Sequence, residues 1–344
     1  MKRAVVLFNL GGPDAPDAVR PFLFNLFNDA AIIDLPGPIR WLLARLISGR
    51  RAKTARAIYD HIDGKSPLLE LTEEQAEALQ GALAADDSET RVFIAMRYWH
   101  PMTEAAVEAV KKFGADEILL LPLYPQFSTT TTQSSLDEWH RLARAAGLTA
   151  PSYGICCYPA EPGLITAHAR LLGAAMAEQP GGKPLRILFS AHGLPEKIVA
   201  KGDPYPQQIE MTAGAIAQTA GLDDDDWMIC YQSRVGRLQW IGPSLDEALQ
   251  SAADDHVGVI VLPIAFVSEH SETLVELDIE YREMSESLGI ETYIRVSAVG
   301  TEPEFIAGLA DLVRAGFTAQ RPLCPSGGER ICPMGRTACP YRPG

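Results

Sequence analysis

The chain has 344 residues, 47% of them hydrophobic, ample for one large or two medium globular domains with real cores. A formal charge of −14 with no basic stripe to offset it argues against a nucleic-acid surface. No apolar stretch reaches the roughly 18 residues of a membrane span, and six unevenly placed cysteines do not suggest a secreted disulfide scaffold, so a cytoplasmic address is expected.

In chain order, Ala4–Leu10 reads as a first strand, because the apolar run after Met1 is too short for a signal peptide and Gly-Gly-Pro-Asp breaks it. Asp14–Asn28 is patterned as a helix, and Pro36–Arg51 is strongly apolar and partly helical. Thr72–Ala85 is an amphipathic helix expected to open on a capping pattern, Thr72 with Gln75. Strands are predicted at Arg91–Tyr98, Glu117–Leu123 and Pro151–Tyr158, with helices near Met102–Phe113, Ser134–Ala146 and Gly163–Ala177. The Pro/Gly-rich connector Glu178–Pro184 is the expected internal boundary.

The second half repeats the first. Leu185–Ser190 ends in SAHGLP as the first strand ends in FNLGGP, and Trp227–Tyr231 answers Arg91–Tyr98. Val257–Val267 parallels Asp116–Thr132, and Glu291–Val313 parallels Thr149–Leu172, both at an offset near 140 residues. Strands alternating with helices imply parallel sheets with right-handed crossovers, hence two similar α/β domains facing across a cleft. Arg321–Gly344 is different: rich in Pro, Gly and Arg, without apolar periodicity, and holding half the cysteines.

Val259–Tyr281 carries the densest chemistry. A β-branched and aromatic run to Val267 reads as a buried strand, after which Glu269, His270, Glu272, Glu276, Asp278 and Glu280 crowd together. On an α-helix Glu272, Glu276 and Glu280 would share one face, mutually repelling, with no Lys or Arg between Ile264 and Tyr281 to relieve them. A solvated acidic face is the bland account. Their place at the C-terminal end of a core strand, where open α/β sheets bind ligands, favours a cation or proton path. His192, in a Gly/Pro turn at another strand end, is a candidate proton acceptor or else a core histidine.

FNLGGP, RYWHPMTE, YPQFS-x-x-TT, SAHGLPE with KGDPYPQQ, YQSRVG–WIGP and LPIAFVSEHSETLVELDIEY, in this order, closely resemble ferrochelatase over residues 1 to about 318. The resemblance implies a chelatase fold of two doubly wound Rossmann-like domains, each with a parallel four-stranded sheet. Residues 1–178 would form the half with an active-site lip, 184–318 the half with the catalytic histidine and acidic helix, and 319–344 a cysteine-bearing extension. It implies insertion of Fe2+ into protoporphyrin IX with release of two protons, the terminal step of haem synthesis.

Matched residue by residue, His192 and Glu272 would be catalytic and would contact metal together with Glu276 and Glu280, on a widened π-type helix. Glu269 and His270 would form the adjacent polar path. Leu10, Arg97, Tyr98, Trp240 and Phe266 would line the porphyrin pocket, and Arg50, Arg51, Tyr59 and Ser66 would receive the propionates. Leu10 favours protoporphyrin IX over coproporphyrin, whose users usually carry tyrosine there. The apolar stretch 21–47 is expected as the lip, with core packing or peripheral contact with the cytoplasmic membrane to explain it. A homodimer is admitted.

Cys324, Cys332 and Cys339 are too widely spaced for a zinc ribbon. Some ferrochelatases hold a [2Fe–2S] cluster with three C-terminal cysteines and one from mid-chain, a position that here is Thr129. A cluster in this chain would take Cys156 or Cys157 as fourth ligand, while Cys230 reads as a core thiol. Zinc and uncommitted thiols stand as alternatives. The rival functions are a cobalt or nickel chelatase, which would commonly pair histidines at the metal, and a non-catalytic haem or iron carrier, which would need no acidic relay.

Overall fold

The structure is a computed structural model that describes residues 1–178, 184–234, 236 and 238–341. The first sheet is built from β1 (Lys2–Asn9), β2 (Glu89–Met96), β3 (Glu117–Pro122) and β4 (Ser152–Gly154), all parallel, in the order β2-β1-β3-β4. The second has β5 (Leu185–His192), β6 (Trp227–Gln232), β7 (Gly258–Pro263) and β8 (Tyr293–Arg295), again parallel and ordered β6-β5-β7-β8. The repeat legible in the sequence is therefore a repeat of topology. The central strands β1, β3, β5 and β7 are buried on both faces, which is why they read as continuous apolar runs.

Between the strands of the first sheet lie α1 (Val19–Phe27), α2 (Gly37–Asp60), α3 (Leu68–Leu83), α4 (Thr103–Phe113) and α5 (Thr132–Ala145). Around the second lie α6 (Pro162–Ala177), α7 (Glu196–Ala200), α8 (Tyr205–Ala220), α9 (Leu245–Asp254), a π-helix (Glu272–Glu280) and α10 (Tyr281–Ser287), while α11 (Pro303–Ala319) follows β8 and from Leu309 goes with the first sheet, with Gly316 close against Leu119. The chain divides into two compact units, Met1–Tyr158 with Leu309–Ile331 and Pro340–Gly344, and Pro159–Gly308 with Cys332–Cys339. Helix α6 goes with the second unit because Ile165, Leu172 and Ala175 enter the core beside β5 and α8. Of the predicted connector, 179–183 lies outside the described residues.

Several expected boundaries move, each for a physical reason. Helix α3 starts at Leu68, not Thr72. Thr72 is wholly buried inside it, donating back to the Leu68 carbonyl at 2.6 Å and accepting from Asn9 Nδ2 at 3.0 Å, so it caps nothing. Helix α1 begins at Val19 rather than Asp14, past Pro13 and Pro16, and α2 runs on from Arg51 to Asp60. β7 stops at Pro263 and the chain reaches the π-helix through a loop.

The predicted fourth strand is cut to three residues, but its continuation is not idle. The Cys324 N–H donates to the Gly154 carbonyl at 2.9 Å, the Cys156 N–H to the Cys324 carbonyl at 2.8 Å, and the Ser326 N–H to the Cys157 carbonyl at 3.0 Å. The cysteine tail thus lies along the edge of this segment, and backbone pairing orders a stretch that has no apolar periodicity. Further on, Thr337 and Ala338 press on the Lys201–Pro204 turn, where Gly202 has φ +95° and a Cβ would lie 2.4 Å from Thr337 Oγ1. Only glycine fits there.

Candidate active site

The second unit gathers the reacting groups. β5 carries His192 at its C-terminal end, where the Tyr205 hydroxyl donates to the His192 carbonyl at 3.1 Å. Gly193 follows because a side chain there would meet the Gln232 carbonyl at 3.0 Å and the Trp240 ring at 3.2 Å. Trp240 accordingly lies against the turn that bears the histidine. His192 Nδ1 donates to Glu272 Oε2 at 2.9 Å, with side chains 41% and 33% exposed, so both partners remain reachable.

Glu272 opens the π-helix. The wider turn places Glu276 beside the end of β6 rather than in a straight column. Its carboxylate accepts from the Ser233 N–H at 2.7 Å, the Ser233 hydroxyl at 2.5 Å and Gln232 Nε2 at 3.1 Å. Ser233 holds φ +61°, a costly conformation for a residue with a Cβ, and in it both its N–H and its hydroxyl reach Glu276. Gln232 is fully buried and also donates to the Glu272 carbonyl at 3.0 Å, while its own oxygen accepts from Ser190 at 2.7 Å.

The electrostatics follow from this packing. Burial alone would lower the His192 imidazole, but the Glu272 charge and hydrogen bond, with Glu276 adding, leave its pKa raised. Burial would lift Glu272, yet His192 and then His270 pull it down to about 2. Glu276 goes the other way: burial and the Glu272 charge raise it against the donors of Ser233 and Gln232. Two carboxylates four positions apart are thus pushed apart in acidity, the arrangement that separates a fixed anion from a proton carrier.

His270 is lowered, chiefly by burial. Its Nδ1 accepts from the Glu272 N–H at 3.0 Å, which leaves the proton of the neutral ring on Nε2. Phe266 meets the same ring edge-on, with centroids 4.4 Å apart. Glu269 Oε1 accepts from Arg295 at 2.5 Å and from the Ala298 N–H at 2.9 Å. Glu280 is exposed at the far end of the helix. Among the described residues no three His, Cys, Asp or Glu side chains are arranged to hold a metal, so the four expected metal contacts are not one preformed cage.

In the first unit Arg97 is committed rather than free. It pairs with Asp29 at 2.8 Å and donates to Ser134 at 2.7 Å, and the Tyr98 hydroxyl also donates to Asp29 at 2.8 Å. Tyr98 is wholly buried, as are Tyr59 and Ser66 to within a few per cent, and Leu10 is half-buried against the same cluster. Of the expected propionate receivers only Arg50 and Arg51 are exposed. Sequence reading assigned no role to Asp29, Ser190, Gln232, Ser233 or Arg295. The YQS motif was a signal for two of them; Asp29 and Arg295 had none.

The six cysteines are unbridged and buried. Cys156 and Cys157 have sulfurs 3.7 Å apart and share a small core with Phe127, Leu323 and Ile331. Burial raises the Cys324 thiol against the Arg321 charge. In the second unit Cys332 Sγ accepts from Gln208 at 3.1 Å.

The family model described as ferrochelatase matches residues 2–316. A ferrochelatase of Caulobacter vibrioides is 52% identical over 100% of this chain and 98% of its own length. One from Phenylobacterium zucineum is 51% identical over 98% of this chain and 100% of its own. Among solved structures, SirB from Bacillus subtilis with Fe3+ covers 92% of this chain and 96% of its own with a TM-score of 0.57 at 14% identity, a likeness of fold alone.

Proposed function

For a chain that belongs to the ferrochelatase family, and so inserts iron into a porphyrin at the terminal step of haem biosynthesis, we propose that the His192–Glu272 pair is the reacting centre. Metallation must strip two pyrrole protons while a divalent cation enters the same ring. His192 accepts protons through its ring, and the anionic Glu272 at 2.9 Å stabilises the imidazolium that forms. That contact is the observation on which the reading rests. Fe2+ is substrate here, met by the same two side chains. Glu276, held by three donors and raised in pKa, takes protons onward, and exposed Glu280 marks the outlet.

By the family resemblance the macrocycle is assigned to Trp240, Phe266 and Leu10, and its propionates to Arg50 and Arg51. Arg97, Tyr98, Tyr59 and Ser66 support that surface from within. Leucine at position 10 favours protoporphyrin IX. An axial-ligand carrier has no use for two carboxylates of opposed acidity, which weighs against it.

The cysteines suit a [2Fe–2S] cluster in donor type, unbridged and buried, but among the described residues no three Cys, His, Asp or Glu side chains are arranged to hold a metal. By the family resemblance its ligands would be Cys324, Cys332 and Cys339 with Cys156 or Cys157. Such a group supplies one-electron redox chemistry, and no step of metallation needs it.

A cytoplasmic address with peripheral membrane contact suits the lip. Helix α2 exposes Ile39, Trp41, Leu42 and Leu46 and bears Arg40, Arg45, Arg50, Arg51, Lys53 and Arg56 against a single acid, Asp60. A hollow of about 360 Å³ lined by Arg20, Leu42, Arg45, Leu46, Gly49 and Arg50 opens on this face. Apolar and cationic side chains together suit an anionic bilayer. Among the described residues no helix is long and apolar enough to cross a membrane.

The deciding experiment is anaerobic turnover of protoporphyrin IX with Fe2+, followed by porphyrin fluorescence loss, beside the visible spectrum of the protein alone. His192→Ala should lower turnover by at least about 100-fold. Parental turnover in that variant would remove His192 from the reaction. Charge-transfer bands abolished by Cys332→Ser support the cluster, and a featureless spectrum of anaerobically prepared protein rules it out.

A further inference from the structure

Arg295 is a buried cation that the reaction itself does not use. It ends β8, its side chain is 10% exposed, and its fork is fully engaged. One terminal nitrogen donates to Glu269 Oε1 at 2.5 Å, Nε donates to Asp278 Oδ1 at 3.1 Å, and the other terminal nitrogen pairs with Asp278 Oδ2. Glu269 stands three residues before the π-helix and Asp278 in its second turn, so one guanidinium spans the segment that holds His270, Glu272 and Glu276.

A π-helix is a rare backbone state and does not persist on local hydrogen bonding alone. Here it also stacks acidic side chains with no basic residue of its own between Glu272 and Glu280. β8 belongs to the same sheet as β5, joined through β7, so the clamp and His192 ride on one rigid element. We propose that Arg295 is a positioning residue for metallation: its fork pins the entry and second turn of the π-helix to the sheet and so holds Glu272 at hydrogen-bonding distance from His192.

The inference rests on the His192–Glu272 reading, and its test separates the two. A lysine keeps the charge but cannot bind Glu269 and a bidentate Asp278 together. Arg295→Lys should therefore lose about 10- to 100-fold in kcat, the scale for outer groups that orient a metal-handling side chain. Protoporphyrin affinity, read by fluorescence, should stay within about two-fold of the parent, since the clamp positions the reacting carboxylate rather than the ring. Low-millimolar guanidinium should restore part of the turnover of Arg295→Ala and none of His192→Ala. If Arg295→Ala does not fold, Asp278→Asn takes its place and should show the same fall in kcat at unchanged porphyrin affinity.

Parental kcat in Arg295→Lys overturns the proposal, as does a parallel loss of porphyrin affinity and kcat. Parental turnover in His192→Ala with a loss in Arg295→Lys faults the reacting pair and not the clamp. An inactive His192→Ala with a fully active Arg295→Lys faults the clamp alone.

Discussion

Replacing Gln232 by leucine tests whether the carboxylates are held from the end of β6. Gln232 is fully buried and makes three contacts: it accepts from Ser190 at 2.7 Å and donates to the Glu272 carbonyl at 3.0 Å and to Glu276 at 3.1 Å. Leucine fills much of the same volume, so a cavity contributes little. Glu276 keeps both donors of Ser233. The buried Ser190 hydroxyl loses this acceptor, at about 1–3 kcal/mol, and the Glu272 carbonyl, which also accepts within the π-helix, loses a second donor at about 0.5–1.5 kcal/mol, giving a loss of about 1.5–4.5 kcal/mol. Ser190→Ala leaves only the buried Gln232 oxygen without this donor and should cost about 1–3 kcal/mol while both carboxylate contacts of Gln232 persist. Urea unfolding of the two variants reads the stability, and porphyrin fluorescence loss reads turnover, expected to fall about 10- to 100-fold in Gln232→Leu. A Gln232→Leu protein within about 0.5 kcal/mol of the parent, the range of neutral surface changes, would refute the reasoning.

Two further outcomes follow from residues away from the reacting pair. His168 is wholly buried in α6 with neither ring nitrogen hydrogen-bonded, and burial pushes its pKa from 6.5 to about 3. The folded state therefore refuses a proton that the unfolded chain accepts, so stability is complete above pH 6.5 and falls as pH drops toward 3, by about 2 kcal/mol at pH 5. His168→Leu should be more stable than the parent and should flatten the acid side of a plot of urea midpoint against pH; parallel curves for the two proteins would count against this. Gly202→Ala adds a Cβ 2.4 Å from Thr337 Oγ1 at φ +95° and should cost about 1–3 kcal/mol locally. Limited proteolysis should then cut within 332–341 faster than in the parent, and an unchanged digestion pattern would mean that the turn does not hold the tail.

The two halves were legible because parallel strands buried on both faces leave long apolar runs, and because β3 with β7 and β4 with β8 keep one spacing. Boundaries failed where a side chain answered to a distant partner. Thr72 looks like a cap from its neighbours, and Asn9, 63 positions away, makes it a buried hydrogen-bonding residue. The tail offered no pattern, since its order comes from backbone pairing with Gly154, Cys156 and Cys157, which any side chains would allow.

The sequence by itself determined the fold class and the family, because these rest on strand and helix patterns and on motifs in a fixed order, and the family resemblance brought His192 and Glu272 forward together. Only the tertiary structure decided what each charge faces. Arg97 is spent on Asp29, Glu269 on Arg295, and Glu276 on Ser233 and Gln232. The acidic run that seemed unrelieved is relieved by an arginine from the neighbouring strand. Electrostatic energy depends on distance in space, and no local pattern near Glu269 or Asp278 points to a cation seventeen or more residues on.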